Sequence, residues 1–297
     1  MGTIKIEEEQ SSSSTSLYIL FDSIRWEEKS IIESAKKNNI DIKPIDCKEL
    51  ILFLNSETKE FKDTVVLQRC VSYFKSIHST AALEGLGAKM INTLYTSIMC
   101  GNKLFSHMEL QKQGIVTPNA FCSFSPSSAI EGINRLGYPA VIKPTIGSWG
   151  RLIGLLNDEE AAKAVIEDRQ HMFPIYQINY IEEFVKRPPR DIRAIVIGDQ
   201  VVAAIYRYSG KNEWKTNMAL GGHAESCPIT KDLEDICIKS AKIFKGDIVG
   251  VDLMENEAHG LLVHEVNNTT EFKNTVRVTG IDIPAMIVDY MIKISKK

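Results

Sequence analysis

The stretch that decides the fold is VGVDLMENEAHGLLVHEVN, residues 249–267. Two apolar runs of strand length, VGVDLM and LLVHEV, flank the polar turn ENEAHG, a pattern typical of a β-hairpin. Asp252 lies in the first run, and Glu265 and Asn267 are two positions apart at the end of the second. Side chains two apart on a strand share a face, so antiparallel pairing is expected to bring Asp252 close to Glu265.

Two carboxylates and an amide on one sheet face are hard oxygen ligands of the kind that Mg²⁺ prefers. The hairpin therefore predicts a magnesium site at Asp252, Glu265 and Asn267. The alternative is that these residues are solvated side chains on the exposed face of a sheet, because such spacing is common in hairpins.

Two lysines upstream of the hairpin suit phosphate binding. Lys103 begins a predicted helix, and Lys143 ends the apolar strand PAVIK. A lysine at the end of a buried strand must satisfy three donors, which phosphate oxygens can do, although it can also extend to solvent. The loop IGSWGR follows at 146–151, and its glycines permit close backbone approach to a phosphate.

Composition excludes several classes of protein. The chain has 297 residues, 44% of them hydrophobic and 25% charged, as in an ordinary globular protein. The net charge of −3 gives no support to a nucleic-acid partner. The six cysteines include no C-x-x-C pair, which argues against a disulfide framework or a zinc knuckle. A P-loop, a G-x-G-x-x-G motif and a G-x-S-x-G elbow are also missing from the sequence.

The organisation along the chain predicts three folded units after an extension. Residues 1–15 are acidic and serine-rich and are expected to be disordered. Alternating strand and helix patterns over 16–96 predict an N-terminal parallel α/β domain. A central lobe is expected over 97–181 and a C-terminal lobe over 182–297. No apolar run reaches the roughly 20 residues of a membrane helix, so a cytoplasmic protein is expected.

The combination of these motifs resembles the ATP-grasp superfamily, and within it the RimK/LysX branch. The resemblance covers residues 17–295 and rests on Lys103, Lys143, IGSWGR, RDIR, NEWKTNMALGG, VGVDLM and HEVNNTTEFKN. It implies an α/β fold with an N-terminal domain and two lobes that hold ATP and Mg²⁺.

The resemblance also implies roles for individual residues. The residues implied to hold or cover the ATP phosphates are Lys103, Lys143, Gly147, Ser148, Trp149, Gly150, Arg151 and Asp191. Those implied to read adenine at an inter-lobe edge are Glu182, Phe184 and Val185, where Glu182 departs from the usual glutamine. The implied catalytic residues are Arg193 and Asn217, and the implied metal ligands are Asp252, Glu265 and Asn267.

The activity that the resemblance implies is ATP-dependent ligation of a carboxylate to an amine through an acyl phosphate. The leading expectation is that L-2-aminoadipate is joined to the C-terminal glutamate side chain of an acidic carrier protein, LysW, in lysine biosynthesis. Alternatives are the same reaction with L-glutamate in arginine biosynthesis or with both amino acids, RimK-like glutamylation of a ribosomal protein, and a non-catalytic nucleotide-binding module. The family also suggests a homo-oligomer.

Two segments are expected to set the partner and the substrate. Basic residues beside Pro188 and Pro189, namely Lys186, Arg187 and Arg190, are candidates for attracting the acidic carrier. The segment NTTEFKN leaves the predicted metal site and is expected to line the amino-acid pocket. Its candidate substrate-binding residues, with the arginine that follows, are Asn268, Thr269, Thr270, Asn274 and Arg277.

Overall fold

The structure is a computed structural model that describes residues 15–54, 61–147, 150–211, 213–216 and 221–297. The predicted disordered extension falls almost wholly on residues 1–14, outside this range. Ser148, Trp149 and Asn217, which carry predicted roles, also lie outside the described residues.

The N-terminal unit is a parallel sheet with helices, as predicted. Its four strands pair in the order β2-β1-β3-β4, and every pairing is parallel. The strands and the two helices between them are β1 (Ser16–Phe21), α1 (Trp26–Lys37), β2 (Ile42–Asp46), β3 (Thr64–Gln68), α2 (Tyr73–Gly85) and β4 (Lys89–Ile91). The buried apolar run of β1 explains its place inside the sheet, since a central parallel strand is covered on both faces.

The central unit is an antiparallel sheet, in the order β5-β8-β6-β7, with helices packed on it. Its elements are α3 (Leu94–Gly101), α4 (Lys103–Lys112), β5 (Ala120–Ser123), α5 (Pro126–Leu136), β6 (Ala140–Lys143), β7 (Gly154–Leu156), α6 (Glu159–Gln170), a 3-10 helix (Pro174–Gln177) and β8 (Asn179–Glu183). The predicted boundary between residues 181 and 182 falls inside β8, so this strand belongs whole to the central sheet.

The C-terminal unit is a five-stranded antiparallel sheet in the order β11-β10-β9-β12-β13. Its elements are β9 (Arg190–Ile197), β10 (Gln200–Tyr208), β11 (His223–Ser226), α7 (Lys231–Ile243), β12 (Ile248–Asn256), β13 (Gly260–Asn267), α8 (Lys273–Thr279) and α9 (Ile283–Ser295). The predicted hairpin is confirmed as β12 and β13.

The two faces of the C-terminal sheet differ in character. One face carries buried apolar residues such as Val249 and Val251, which pack with Phe244 and other residues at and after α7. On the other face, Ile195 and Ile248 share a core with α9 and with the N-terminal strands. Alternation along β9 and β12 places the polar residues of the hairpin on this second face, beyond the end of that core.

Gly250 allows the segment after β13 to pack against β12. A Cβ at this position would lie 2.2 Å from Thr270 Oγ1 and 2.8 Å from Thr270 Cβ. We therefore expect Gly250→Ala to lower stability by about 1–3 kcal/mol, because the overpacked segment must shift. Gly85→Ala is the control, since a Cβ there meets nothing within 4 Å and alanine favours a helix. Thermal unfolding should show a lower Tm for the first variant only; equal Tm values would contradict this packing.

Candidate active site

The hairpin brings its two carboxylates together. Asp252 pairs with Glu265 in the register of β12 and β13, at a point where a β-bulge shifts the pairing. The side-chain amide of Asn267 donates to Asp252 Oδ2 at 3.5 Å. The geometry therefore gathers the three predicted ligands on one face, while their role in metal binding stays a prediction.

Two arginines, Arg193 on β9 and Arg207 on β10, pair with Asp252 and with Asp191 of β9. Arg193 pairs with Asp252 in register, and its Nε and Nη2 donate to the two carboxylate oxygens at 2.7 and 2.6 Å. Arg207 donates to both oxygens of Asp191, at 2.7 and 2.9 Å, and its Nη2 lies 3.1 Å from Asp252 Oδ2. Such bidentate pairs are strong and fix the side chains geometrically. A band of two acids and two arginines thus crosses three adjacent strands.

The charges of the two hairpin acids are held by their neighbours. Burial alone would raise the pKa of Asp252, but the guanidinium groups of Arg193 and Arg207 hold it well below its usual range. Burial acts in the same direction on Glu265, but the groups around it, chiefly the ammonium group of Lys103, together lower its pKa. Both carboxylates are therefore ionised at neutral pH, as cation ligands must be.

Lys103 and Lys143 approach from the central unit. Lys103 Nζ lies 2.9 Å from Glu265 Oε1 and donates to the carbonyl of Gly147 at 3.0 Å. Lys143 forms an ion pair with Glu182, in which each residue is 3% exposed, and its Nζ is 3.3 Å from His264 Nδ1. The structure thus places both predicted phosphate lysines beside the hairpin, and phosphate binding by them stays a prediction.

A hydrogen-bonded network of polar side chains surrounds Lys143, and no local sequence pattern predicts it. The Tyr180 hydroxyl donates to Glu182 Oε1 at 2.8 Å and lies 3.1 Å from His107 Nδ1. Burial, together with nearby Lys143, lowers the pKa of His264 to about 4. His264 is therefore neutral at physiological pH, and its ring can accept a hydrogen bond from Lys143. These residues come from α4, β8 and β13 and meet only in the fold.

The predicted adenine edge requires a correction at Glu182. This residue lies in β8 with Ala120 of β5 on one side and Val141 of β6 on the other, so its backbone is inside the sheet rather than at an edge. Its side chain forms the buried ion pair with Lys143. Phe184 lies just beyond the strand, 38% exposed, with its ring 6.0 Å from that of Trp214. The predicted adenine contacts of Phe184 and of the buried Val185 stay predictions.

Two cations, Lys215 and Arg169, hold the chain at the end of the glycine loop and just after it. Gly147 and Gly150 both have positive φ, as the predicted loop requires. Lys215 Nζ donates to the carbonyls of Gly150 and Ile153, at 3.4 and 2.9 Å. The buried Arg169 donates to the carbonyl of Leu152 at 2.7 Å. The chain after the loop is therefore fixed from two sides, and Arg151 lies exposed within it.

The predicted amino-acid segment is held differently from the expectation. Thr270 is 1% exposed, and its side chain packs against Gly250, so the idea that it contacts a substrate is wrong for steric reasons. The Thr269 hydroxyl donates to Gln68 Oε1 and to the carbonyl of Cys70, each at 3.3 Å. Its donor is therefore engaged with the N-terminal unit, not with an open pocket.

The remaining predicted substrate residues are only partly buried or exposed. Asn268 Nδ2 donates to Ser97 Oγ at 3.3 Å. Asn274 is half-buried and Arg277 is exposed, both on α8. Substrate contacts by these three residues stay predictions.

The basic residues proposed for the carrier are mostly engaged within the chain. Arg190 binds Glu255 at 2.7 and 2.9 Å, and Arg187 donates to the carbonyls of Pro188, Arg190 and Trp214. Only Lys186 of the three is exposed. Glu255 therefore neutralises Arg190, whereas Arg187 keeps its charge beside Lys186, and attraction of an acidic carrier by this turn stays a prediction.

The donor set fits a hard cation without forming a closed cage. Among the described residues, no group of three or more His, Cys, Asp or Glu could hold a metal ion. Asp252, Glu265 and Asn267 supply two carboxylates and an amide, and Mg²⁺ commonly completes such a set with waters and phosphate oxygens. The residue types therefore suit a hard cation such as Mg²⁺, and its binding here stays a prediction.

The arrangement of two lobes, with the lysines on one and the carboxylate hairpin on the other, is that of an ATP-grasp fold. Two family descriptions agree with this class: a RimK-like ATP-grasp domain matches residues 100–291, and a LysX preATP-grasp domain matches residues 17–98. The chain belongs to the RimK-like ATP-grasp family, whose fold is confirmed.

Solved structures share this fold at low sequence identity. A RimK domain ATP-grasp protein from Sphaerobacter thermophilus superposes with a TM-score of 0.73 at 18% identity, covering 93% of this chain and 99% of that one. D-alanine–D-alanine ligase from Bacillus anthracis, complexed with ATP, gives a TM-score of 0.67 at 18% identity, covering 96% of this chain and 99% of that one.

Curated relatives are more similar in sequence. The alpha-aminoadipate–LysW ligase LysX of Sulfurisphaera tokodaii is 38% identical over 92% of this chain and 96% of its own length. The glutamate–LysW ligase ArgX of Sulfolobus acidocaldarius is 30% identical over the same shares of the two chains. Among the described residues, none of the helices has the length and apolar character needed to cross a bilayer.

Proposed function

We propose that this protein is an ATP-dependent ligase that joins the C-terminal glutamate side chain of a LysW-type carrier to the amino group of L-2-aminoadipate. The observation that carries the proposal is the Asp252–Glu265 carboxylate pair facing Lys103, in a chain more similar to LysX than to ArgX. ATP use follows from the family, whereas the magnesium ion, the carrier and the amino acid are part of the proposal.

The residues of the site suit two successive displacements. The carrier carboxylate attacks the γ-phosphorus of ATP, ADP leaves, and the amine then displaces phosphate from the acyl phosphate and loses a proton. Lys103 and Lys143 would neutralise the phosphate oxygens, and Arg193 would stabilise the oxyanion that develops at the acyl carbon. A magnesium ion at Asp252, Glu265 and Asn267 would supply further charge neutralisation. Most of the rate enhancement would come from positioning.

The choice of amino acid can be measured directly. We expect mass spectrometry of LysW, after incubation with ATP, Mg²⁺ and equal concentrations of aminoadipate and glutamate, to show mainly the aminoadipate adduct. One methylene discriminates by about 1–3 kcal/mol, so a glutamate adduct should be detectable at about 10- to 200-fold lower kcat/KM.

Other outcomes separate the alternatives. A preference for glutamate would assign the ArgX-like reaction, which the 30% identity to ArgX keeps as the second candidate. Glutamylation of a ribosomal protein but not of LysW would assign the RimK-like reaction. Failure to release ADP with any carrier and amino acid would indicate a nucleotide-binding module.

A further inference from the structure

The N-terminal sheet has a crevice where its strand order reverses. The chain passes from β1 to β2 on one side of β1 and then crosses to β3 on its other side. The carboxyl ends of β1 and β3 therefore flank a topological switch point. Ligands of open α/β sheets bind in such crevices. Here residues 270–273 of the C-terminal lobe lie against the side chains that follow these two strands.

The contacts are made to the backbone of that segment. Glu27 Oε1, in the first turn of α1, accepts hydrogen bonds from the backbone N–H groups of Phe272 and Lys273, at 3.2 and 3.1 Å. Arg69, just after β3, donates from Nη2 to the carbonyl of Thr270 at 3.0 Å. The ring of Trp26 packs edge-on against Phe272 at 6.0 Å. The segment is therefore held by hydrogen bonds to its main chain, with the buried Phe272 ring packed beside them.

Arg69, which holds the segment, is itself held in place by a buried ion pair with Glu28. Glu28 is 0% exposed and Arg69 is 2% exposed, and Arg69 Nε lies 2.9 Å from Glu28 Oε1. Arg25 donates to the same carboxylate, at 2.7 and 3.1 Å. A hydrophobic pair of similar volume would often be at least as stable as a buried ion pair. Stability alone therefore does not explain why charged residues occupy this position. Their directional hydrogen bonds to one segment do.

The same segment begins at the active site. Asn268 directly follows Asn267, and its carbonyl accepts a hydrogen bond from Asn92 Nδ2 at 2.9 Å. Asn92 Oδ1 in turn accepts from the backbone of Asp247 and Ile248, at 2.7 and 3.1 Å. From Asn268 to Lys273 the N-terminal unit thus holds the chain that leaves the hairpin.

We propose that Glu27, Glu28 and Arg69 form a positioning cluster that sets the affinity of the site for the acceptor amino acid. This inference rests on the proposed function. The cluster acts through the segment 268–273, which borders the site at Asn267, and not through contact with a substrate. The nucleotide lysines are held elsewhere, on α4 and at the end of β6, and Asn267 is held in β13 by its pairing with Gly250, so ATP affinity should depend on the cluster much less than amino-acid affinity does.

The test compares Arg69→Lys and Glu27→Gln with Glu84→Gln. Lysine cannot bridge Glu28 and the Thr270 carbonyl with the fork of a guanidinium group, and glutamine at position 27 accepts more weakly from the two backbone N–H groups. Glu84 is the matched control, because its Oε1 also accepts from a backbone N–H, that of Leu94 at 2.9 Å, but within the region of α2 and α3.

Steady-state kinetics with ATP, carrier and amino acid should separate the two substrates. We expect both cluster variants to raise KM for the amino acid by at least about 10-fold, the loss of roughly one charge-assisted hydrogen bond, with KM for ATP changed less than about twofold. Glu84→Gln should change neither KM. In the absence of the amino acid, ATP-dependent trapping of the acyl phosphate by hydroxylamine should continue in the cluster variants.

Each remaining outcome is decisive. If KM for the amino acid stays unchanged, if both KM values rise together, or if the control behaves like the cluster variants, the cluster is merely structural and the proposal fails. Should Arg69→Lys not fold, Glu27→Gln alone decides. Absence of hydroxylamine trapping in the wild-type protein would instead refute the acyl-phosphate reaction, and so the proposed function, without bearing on the contacts of the cluster.

Discussion

Asp252→Asn is expected to reduce ligation by about 1,000-fold, because it removes a carboxylate ligand of the proposed magnesium ion and releases the two arginines that this carboxylate orients. Arg193 and Arg207 both contact the Asp252 carboxylate, and asparagine cannot accept a bidentate pair from one of them. Removing one partner of a buried ion pair also costs about 3 kcal/mol of stability. Activity should therefore be compared at a temperature at which circular dichroism shows the variant to be folded.

Glu255→Gln is the matched control for this experiment. Glu255 lies three residues further along β12 and also holds an arginine, Arg190, in a bidentate pair, but both side chains are about a quarter exposed. Exposed pairs contribute at most about 1 kcal/mol, and this one does not touch Asp252. Its activity should be close to wild type. Normal turnover by folded Asp252→Asn would exclude the hairpin as the catalytic centre.

Lys143→Met is expected to weaken nucleotide binding by about 100-fold, since the lost ammonium group would donate charged hydrogen bonds to phosphate oxygens. The same change leaves Glu182 buried without its partner, at a cost of about 3–5 kcal/mol in the free energy of unfolding. Binding and stability would then fall together, and a single variant could not tell the two roles apart.

The double variant Lys143→Met, Glu182→Gln separates them. A neutral glutamine can keep its hydrogen bond from Tyr180 and no longer needs a cation. We expect chemical denaturation to show most of the lost stability restored, while calorimetry with a non-hydrolysable ATP analogue still shows weak binding. Recovery of both properties together would mean that Lys143 serves only the ion pair.

Much of the fold follows from local sequence patterns. The apolar strands and polar turn of residues 249–267 predict their hairpin because alternation and turn chemistry act over a few residues. Strands alternating with helices over 16–96 likewise predict the parallel N-terminal sheet. Lys103 and Lys143 are marked by their places at a helix start and a strand end, which the structure keeps.

Local sequence patterns do not predict which side chains lie opposite each other on paired strands, because two β-bulges shift the register. If the pairing of Leu253 with Val263 continued without a shift, Asp252 would face His264; the bulge moves Glu265 opposite it instead. In the other hairpin a shift between Val201 and Ala203 brings Arg207 opposite Asp191, where unshifted pairing would bring Tyr206. A bulge depends on packing against the rest of the fold, so local pattern does not reveal Arg207 as a site residue.

The sequence thus determines that this chain has a carboxylate hairpin, a lysine at a helix start, a lysine at a strand end and an N-terminal α/β unit. Each of these depends on residues close together in the chain. Tertiary packing determines which charges meet. It pairs Glu182 with Lys143 and packs the side chain of Thr270 against Gly250. It also places residues 270–273 in the crevice beside Arg69. These contacts join residues from 20 to 201 positions apart, and only the folded chain brings them within hydrogen-bond or van der Waals distance.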